Sequence, residues 1–96
     1  MSENKHRWSL EEDKYCCEIC VKYYVTEKAN MPVEDLVRDL TTHFSDIPAN
    51  SLRMKIQNIK QLFEEGGIDN TLRTKPLANY SRQNKKAMDE ALRHLS

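Results

Sequence analysis

Ser51-Leu52-Arg53-Met54-Lys55-Ile56-Gln57-Asn58-Ile59-Lys60-Gln61 is the stretch on which the reading of this chain turns. At helical spacing Leu52, Ile56, Ile59 and Phe63 fall on one stripe. The far side then carries Met54, Gln57, Asn58 and Gln61, flanked by Arg53, Lys55 and Lys60, with no acid before Glu64. Carboxamides pair bidentately with adenine edges, and Arg and Lys with guanine or phosphate. A helix packed by its apolar stripe and turning this face outward has the chemistry of a recognition helix. The plainer reading is a solvated polar face on an ordinary core helix.

The flanking sequence predicts where this helix begins and ends. Asn50 and Ser51 are both good N-caps, and Pro48 disfavours helix at Ile47. Gly66-Gly67 can supply a left-handed C-cap, with Ile68 placed to pack back on the helix end. Upstream, Ser9 precedes Leu10-Glu11-Glu12, a capping box, and Glu11, Glu12 and Asp13 suit the positive end of the helix dipole. That first helix is expected over about 9–25, with Trp8, Tyr15, Cys16, Ile19, Cys20 and Tyr23 inward. Of the adjacent pair Tyr23 and Tyr24, one is expected to point outward. Pro32 opens a second helix over about 32–44, in which Val33, Leu36, Val37, Leu40 and Phe44 form an amphipathic stripe. Residues 69–78 predict a loop tethered by Leu72 and Leu77. A fourth helix over about 80–95 carries Tyr80, Asn84, Ala87, Met88, Ala91, Leu92 and Leu95 on one stripe, with Arg82, Lys85, Lys86 and Arg93 on the other face. No segment reads as strand. The expectation is a flexible start over residues 1–7, then one all-α domain over 8–96, a homeodomain-like three-helix bundle plus a C-terminal fourth helix.

Charge is neutral in sum and uneven in distribution. Lys plus Arg and Asp plus Glu both number 15 in 96 residues. Residues 1–48 hold six Lys/Arg against ten Asp/Glu, a net of −4; residues 49–96 hold nine against five, a net of +4. The second half is therefore the side expected to face a polyanion. The start Met-Ser-Glu-Asn-Lys-His-Arg has no apolar core of a signal peptide, and no run reaches membrane-spanning length. The expected location is the cytoplasm, or the nucleus in a eukaryote, without membrane contact.

Chemistry beyond binding finds little support. Cys16, Cys17 and Cys20 are three thiols within five residues, which is no disulfide framework. Cys17 and Cys20 have CxxC spacing, but no second ligand pair is spaced for zinc, and His6, His43 and His94 are scattered. Cys16 and Cys20 are expected to be small core residues and Cys17 a partly exposed thiol. Gly66-Gly67 is a helix terminus and not a phosphate cradle. No catalytic residue, metal site or cofactor is expected, and the chain does not read as an enzyme.

Two resemblances sharpen the reading. Trp8-Ser9-Leu10-Glu11-Glu12-Asp13 resembles the start of a Myb/SANT repeat, and the spacing to the second and third helices suits that tri-helical module. The resemblance implies that the third helix enters the major groove. Myb repeats carry further spaced tryptophans; here Trp8 stands alone, and the equivalent core positions would fall to Phe44, Ile56 and Phe63. From Trp8 to Leu92 the chain is also similar to a small domain upstream of the nuclease in some bacterial HNH endonucleases. That similarity rests on the opening Trp-x-x-Glu-Glu pattern and the helix Ser51-Leu52-Arg53-Met54-Lys55-Ile56-Gln57-Asn58. It implies a DNA-targeting accessory module.

Two functions follow as expectations. In the first, the chain binds double-stranded DNA as a transcriptional regulator or as the targeting part of a defence or mobile-element system. Gln57, Asn58 and Gln61, with Met54, face the bases; Arg53, Lys55 and Lys60 hold phosphates; Arg82, Lys85 and Lys86, with Arg73 and Lys75, extend the backbone contacts. One such module buries limited surface, so a homodimer or partner would add specificity. In the second, it is a SANT-type protein-interaction module, or a phage or mobile-element inhibitor of a host protein, without DNA binding. The acids Glu34, Asp35 and Asp39 discriminate: flanking the third helix they repel DNA, and opposite it they do not.

Overall fold

The computed structural model describes residues 6–94 as four helices with no strand. Helix α1 spans Leu10–Cys20 and runs on as a π-helical turn, Val21–Thr26; α2 spans Val33–His43, α3 Ala49–Glu65 and α4 Arg82–Arg93. Of the expected flexible start only His6 and Arg7 are described, and Leu95 lies outside the described residues.

Each helix end has a local cause. The Ser9 hydroxyl accepts from the Glu12 amide at 3.1 Å, and the Glu12 carboxylate accepts from the Ser9 amide at 3.0 Å. This closes the capping box and satisfies amides that the first turn leaves without partners. Pro32 and Pro48 stand as N-caps of α2 and α3, both extended with ψ 145. Helix α3 therefore starts at Ala49, ahead of the expected Asn50 or Ser51, because the Pro48 carbonyl accepts from Ser51 and Leu52. The Asn50 side chain is thereby released to accept from Arg53. At the other end of α3, the Gly67 amide bonds Glu64 O and the Ile68 amide bonds Phe63 O, with Gly67 at φ 63. That pattern is a Schellman cap, which needs a residue tolerant of left-handed φ. Ser81 caps α4 by accepting from the Asn84 amide.

The core gathers one stripe from each helix. Leu36, Val37 and Leu40 of α2 meet Leu52, Ile56, Ile59 and Phe63 of α3, while α1 packs mainly on Ala87, Met88 and Ala91 of α4. Helix α1 presents a different face from the expected one. Asp13, Cys16, Cys17, Cys20, Val21 and Tyr24 are buried, whereas Tyr15, Ile19 and Tyr23 are only partly so. Val21 and Tyr24, on the π turn, continue the buried stripe of Asp13, Cys16, Cys17 and Cys20. The Tyr24 hydroxyl donates to Met31 O at 3.1 Å, satisfying the polar end of a buried ring.

The connection from α3 to α4 is tied down along its length. Thr71 donates its amide to Tyr24 O and its hydroxyl to Ala29 O, Leu72 is buried, and the Leu77 amide donates to Gln57 O. This segment lies along one side of α3 and covers part of what the sequence suggested was an outward face.

Candidate nucleic-acid interface

The polar face of α3 divides into a buried part and an exposed part. Lys55 and Asn58 belong to the buried part, at 5% and 8% exposure, which corrects their expected outward placement. The Lys55 ammonium lies 2.6 Å from Asp13 Oδ1, donates to Asn84 Oδ1 at 3.3 Å and sits 4.6 Å from the centre of the Trp8 ring. Asp13 Oδ2 accepts from Gln83 Nε2 at 2.7 Å, and Gln83 also donates to Trp8 O. Asn58 Nδ2 donates to Leu77 O at 2.7 Å and to Asn79 Oδ1 at 3.1 Å. Both side chains are therefore held between α3, α4 and the segment that precedes α4.

The remaining expected contact residues are exposed or partly so, and several are engaged. Arg53 forms a two-pronged pair with Glu34, both distances 2.8 Å, and a third bond to Asn50. Lys60 donates to Asn70 and pairs with Glu64. Gln61 donates to Glu65, which also accepts from the Tyr80 hydroxyl. Lys85 pairs with Asp89 one turn on. Gln57 is half-buried and Met54 is 47% exposed, the one large exposed apolar side chain among the described residues. Arg73, Lys75, Arg82 and Lys86 are exposed. Arg82 and Lys86, at i and i+4 on α4, have no ion-pair partner among the described residues.

Of the acids Glu34, Asp35 and Asp39, Glu34 is the one shown against α3. Glu34 sits on Arg53, whose bonds hold its carboxyl below the ordinary range, and Asp35 turns to Arg38. On the opposite side, toward α4, a half-open groove of about 750 Å³ has formed. His6, Trp8, Asn50, Ser51, Met54, Lys55, Asn58, Asn79, Ser81 and Gln83 line it, and none is a carboxylate. Trp8 stands edge-on to His6 at 5.0 Å. Trp8 read as a core residue, and neither Asn79 nor Gln83 carried any periodic signal that marked it as lining a site.

The thiols take no part in this surface. Cys16, Cys17 and Cys20 are all fully buried, so Cys17 is not the partly exposed thiol expected. Burial pushes the Cys16 thiol up to about 12 and raises Cys17 and Cys20 as well. A buried thiol so raised is neither a thiolate ligand nor a nucleophile at neutral pH. Cys17 Sγ instead faces the Asn84 side-chain amide at 3.5 Å. Among the described residues no three His, Cys, Asp or Glu side chains are grouped to hold a metal ion, and no helix is long and apolar enough to cross a membrane.

Comparison with protein-family models, with curated proteins and with solved structures finds no match to this chain.

Proposed function

We propose that this chain is a small DNA-binding module of homeodomain-like, Myb/SANT type, serving as a regulator or as the targeting part of a defence or mobile-element system. The duplex lies along the outer side of α3 and the exposed face of α4. Asn50, Met54 and Gln57 are the groove-facing side chains. Arg82 and Lys86 hold phosphates, with Lys85 beside them. The observation that carries this reading is the groove between the start of α3 and the start of α4, whose described lining holds no carboxylate, with exposed Arg82 next to lining residues Ser81 and Gln83 in sequence. Phosphate contacts dominate affinity and make it fall with salt, whereas side chains on base edges set sequence preference.

The test is fluorescence anisotropy of labelled duplex DNA across a salt series. Arg82→Ala with Lys86→Ala is expected to flatten the slope of log affinity on log salt by about 2. Arg53→Ala is expected to change it less, because Glu34 already neutralises that guanidinium. Absence of binding at low salt by the folded protein overturns the reading.

One observation favours a second reading, a SANT-type protein-interaction module. Glu34 flanks α3 and makes the α2 side of that helix less favourable to a polyanion. Loss of DNA binding on every sequence, with a partner captured through Glu34 and Met54, would move the function there.

A further inference from the structure

The groove has a division of charge that its lining alone does not explain. Among the described residues Lys55 is the one Lys or Arg that lines it, and that ammonium is spent on Asp13 and Asn84. The described lining therefore offers no unpaired cation to an anion. It offers hydrogen bonds: Asn58, nine-tenths buried, uses its amide hydrogens on Leu77 O and Asn79, and its carbonyl oxygen accepts nothing from the described residues. Asn50, Asn79, Ser81 and Gln83 add further polar groups, and Trp8 and Met54 supply apolar walls. Cations with no ion-pair partner among the described residues stand outside, where Arg7 and Arg82 adjoin lining residues in sequence and are exposed.

A neutral interior with carboxamides and apolar walls fits a flat, uncharged, hydrogen-bonding group. Cations at the rim fit a phosphate attached to that group. We infer that the groove receives one unstacked nucleobase of the DNA, with its phosphates outside against Arg7 and Arg82. The inference rests on the DNA-binding reading and deepens it: the chain takes hold where a base has left the stack. Unpaired bases are read on their hydrogen-bonding edges between apolar or aromatic side chains, and extrusion costs least where pairing is already lost. The Asn58 carbonyl oxygen is left to accept from an exocyclic amine such as that of adenine, so adenine is the base to offer first. The volume of about 750 Å³ lies within the usual range for ligand sites.

Trp8 is the only tryptophan, so its emission reports the groove directly. Two labelled duplexes serve as probes, one fully paired and one carrying a single bulged adenine. Anisotropy reads binding and Trp8 emission reads occupancy. The bulged duplex is expected to bind about tenfold tighter and to quench Trp8, as one base contact of ordinary strength would give. Asn79→Ala, at an exposed position outside the duplex contacts named above, is expected to abolish that preference while leaving affinity for the paired duplex unchanged. Equal affinity for the two duplexes with unaltered Trp8 emission overturns the inference and leaves the DNA reading standing. Binding of neither duplex overturns both.

Discussion

Replacing Lys55 by Met separates a structural role from a DNA-contacting one. The ammonium it removes is 2.6 Å from Asp13 Oδ1, and the two side chains are 6% and 0% exposed. With Lys55 gone, the Asp13 carboxylate keeps only its bond from Gln83. Removing one partner of a buried pair costs about 3–5 kcal/mol, because the other charge stays desolvated. Met preserves most of the stem volume and can still contact Trp8, so the loss reports the ion pair rather than a cavity. A domain of this size has about 5–15 kcal/mol in hand, so the variant is expected to fold with a much lower urea midpoint. The assay is urea unfolding followed by far-UV circular dichroism, with the m-value checked for constancy. Asp13→Leu combined with Lys55→Met is expected to recover most of the loss, since no buried charge then remains. A loss below about 1 kcal/mol for Lys55→Met would refute the reasoning, because that is the scale of a hydrated surface pair.

Other consequences are open to direct measurement. Gly67→Ala is expected to cost about 1–2 kcal/mol in the same assay, since φ 63 is a left-handed conformation. Gly66→Ala, at φ −88, is expected to cost less. Glu34→Gln frees Arg53 and is expected to raise affinity for duplex DNA at low salt with little change in thermal midpoint; an unchanged affinity argues against DNA at the start of α3. Cys16, Cys17 and Cys20 are expected to react with a thiol reagent only on unfolding, so rapid labelling of the native protein would contradict their burial. Hydrogen bonds from Arg53, Tyr80 and Lys28 hold the carboxyls of Glu34, Glu65 and Asp69 below their ordinary range. The folded state then binds fewer protons than the unfolded one, so this stabilisation is complete above the ordinary carboxylate value and lost as pH falls through the folded values. The urea midpoint is expected to drop on acidification below about pH 4.5, and less so in Glu65→Gln.

Periodicity and end chemistry carried most of the helical architecture. The capping box at Ser9, the α2 stripe and the glycine stop after α3 are local features, and local rules read them well. What escaped was the side on which α4 and the 66–81 connection would lie against α3, because that is decided by contacts distant in sequence. An outward face is whatever the rest of the chain leaves uncovered, and one helix cannot report it. A subtler cue was nevertheless present. On α3, Ser51, Lys55, Asn58 and Leu62 follow at i, i+4, i+7 and i+11, directly beside the stripe of Leu52, Ile56, Ile59 and Phe63. On α1, Asp13 leads Cys17, Cys20 and Tyr24 at the same spacing. On α4, Asn84 leads Met88 and Ala91. All of these are buried. Three helices thus each carry a polar residue in phase with buried neighbours, and Asp13, Lys55 and Asn84 meet.

That convergence changes what an interface on this chain can be made of. A cation committed to Asp13 cannot also hold a phosphate, and an amide donating to Leu77 O cannot also read a base with those hydrogens. On the proposed DNA-binding reading, the recognition groups of α3 are then Asn50, Met54, Gln57 and the Asn58 carbonyl oxygen, and the uncommitted positive charge is that of Arg82 and Lys86 of α4. The salt slope then discriminates between the two arrangements. If α3 supplied the charge, Arg53→Ala with Lys60→Ala would flatten it most. If α4 supplies it, the pair Arg82→Ala and Lys86→Ala does, and α3 alters sequence preference alone.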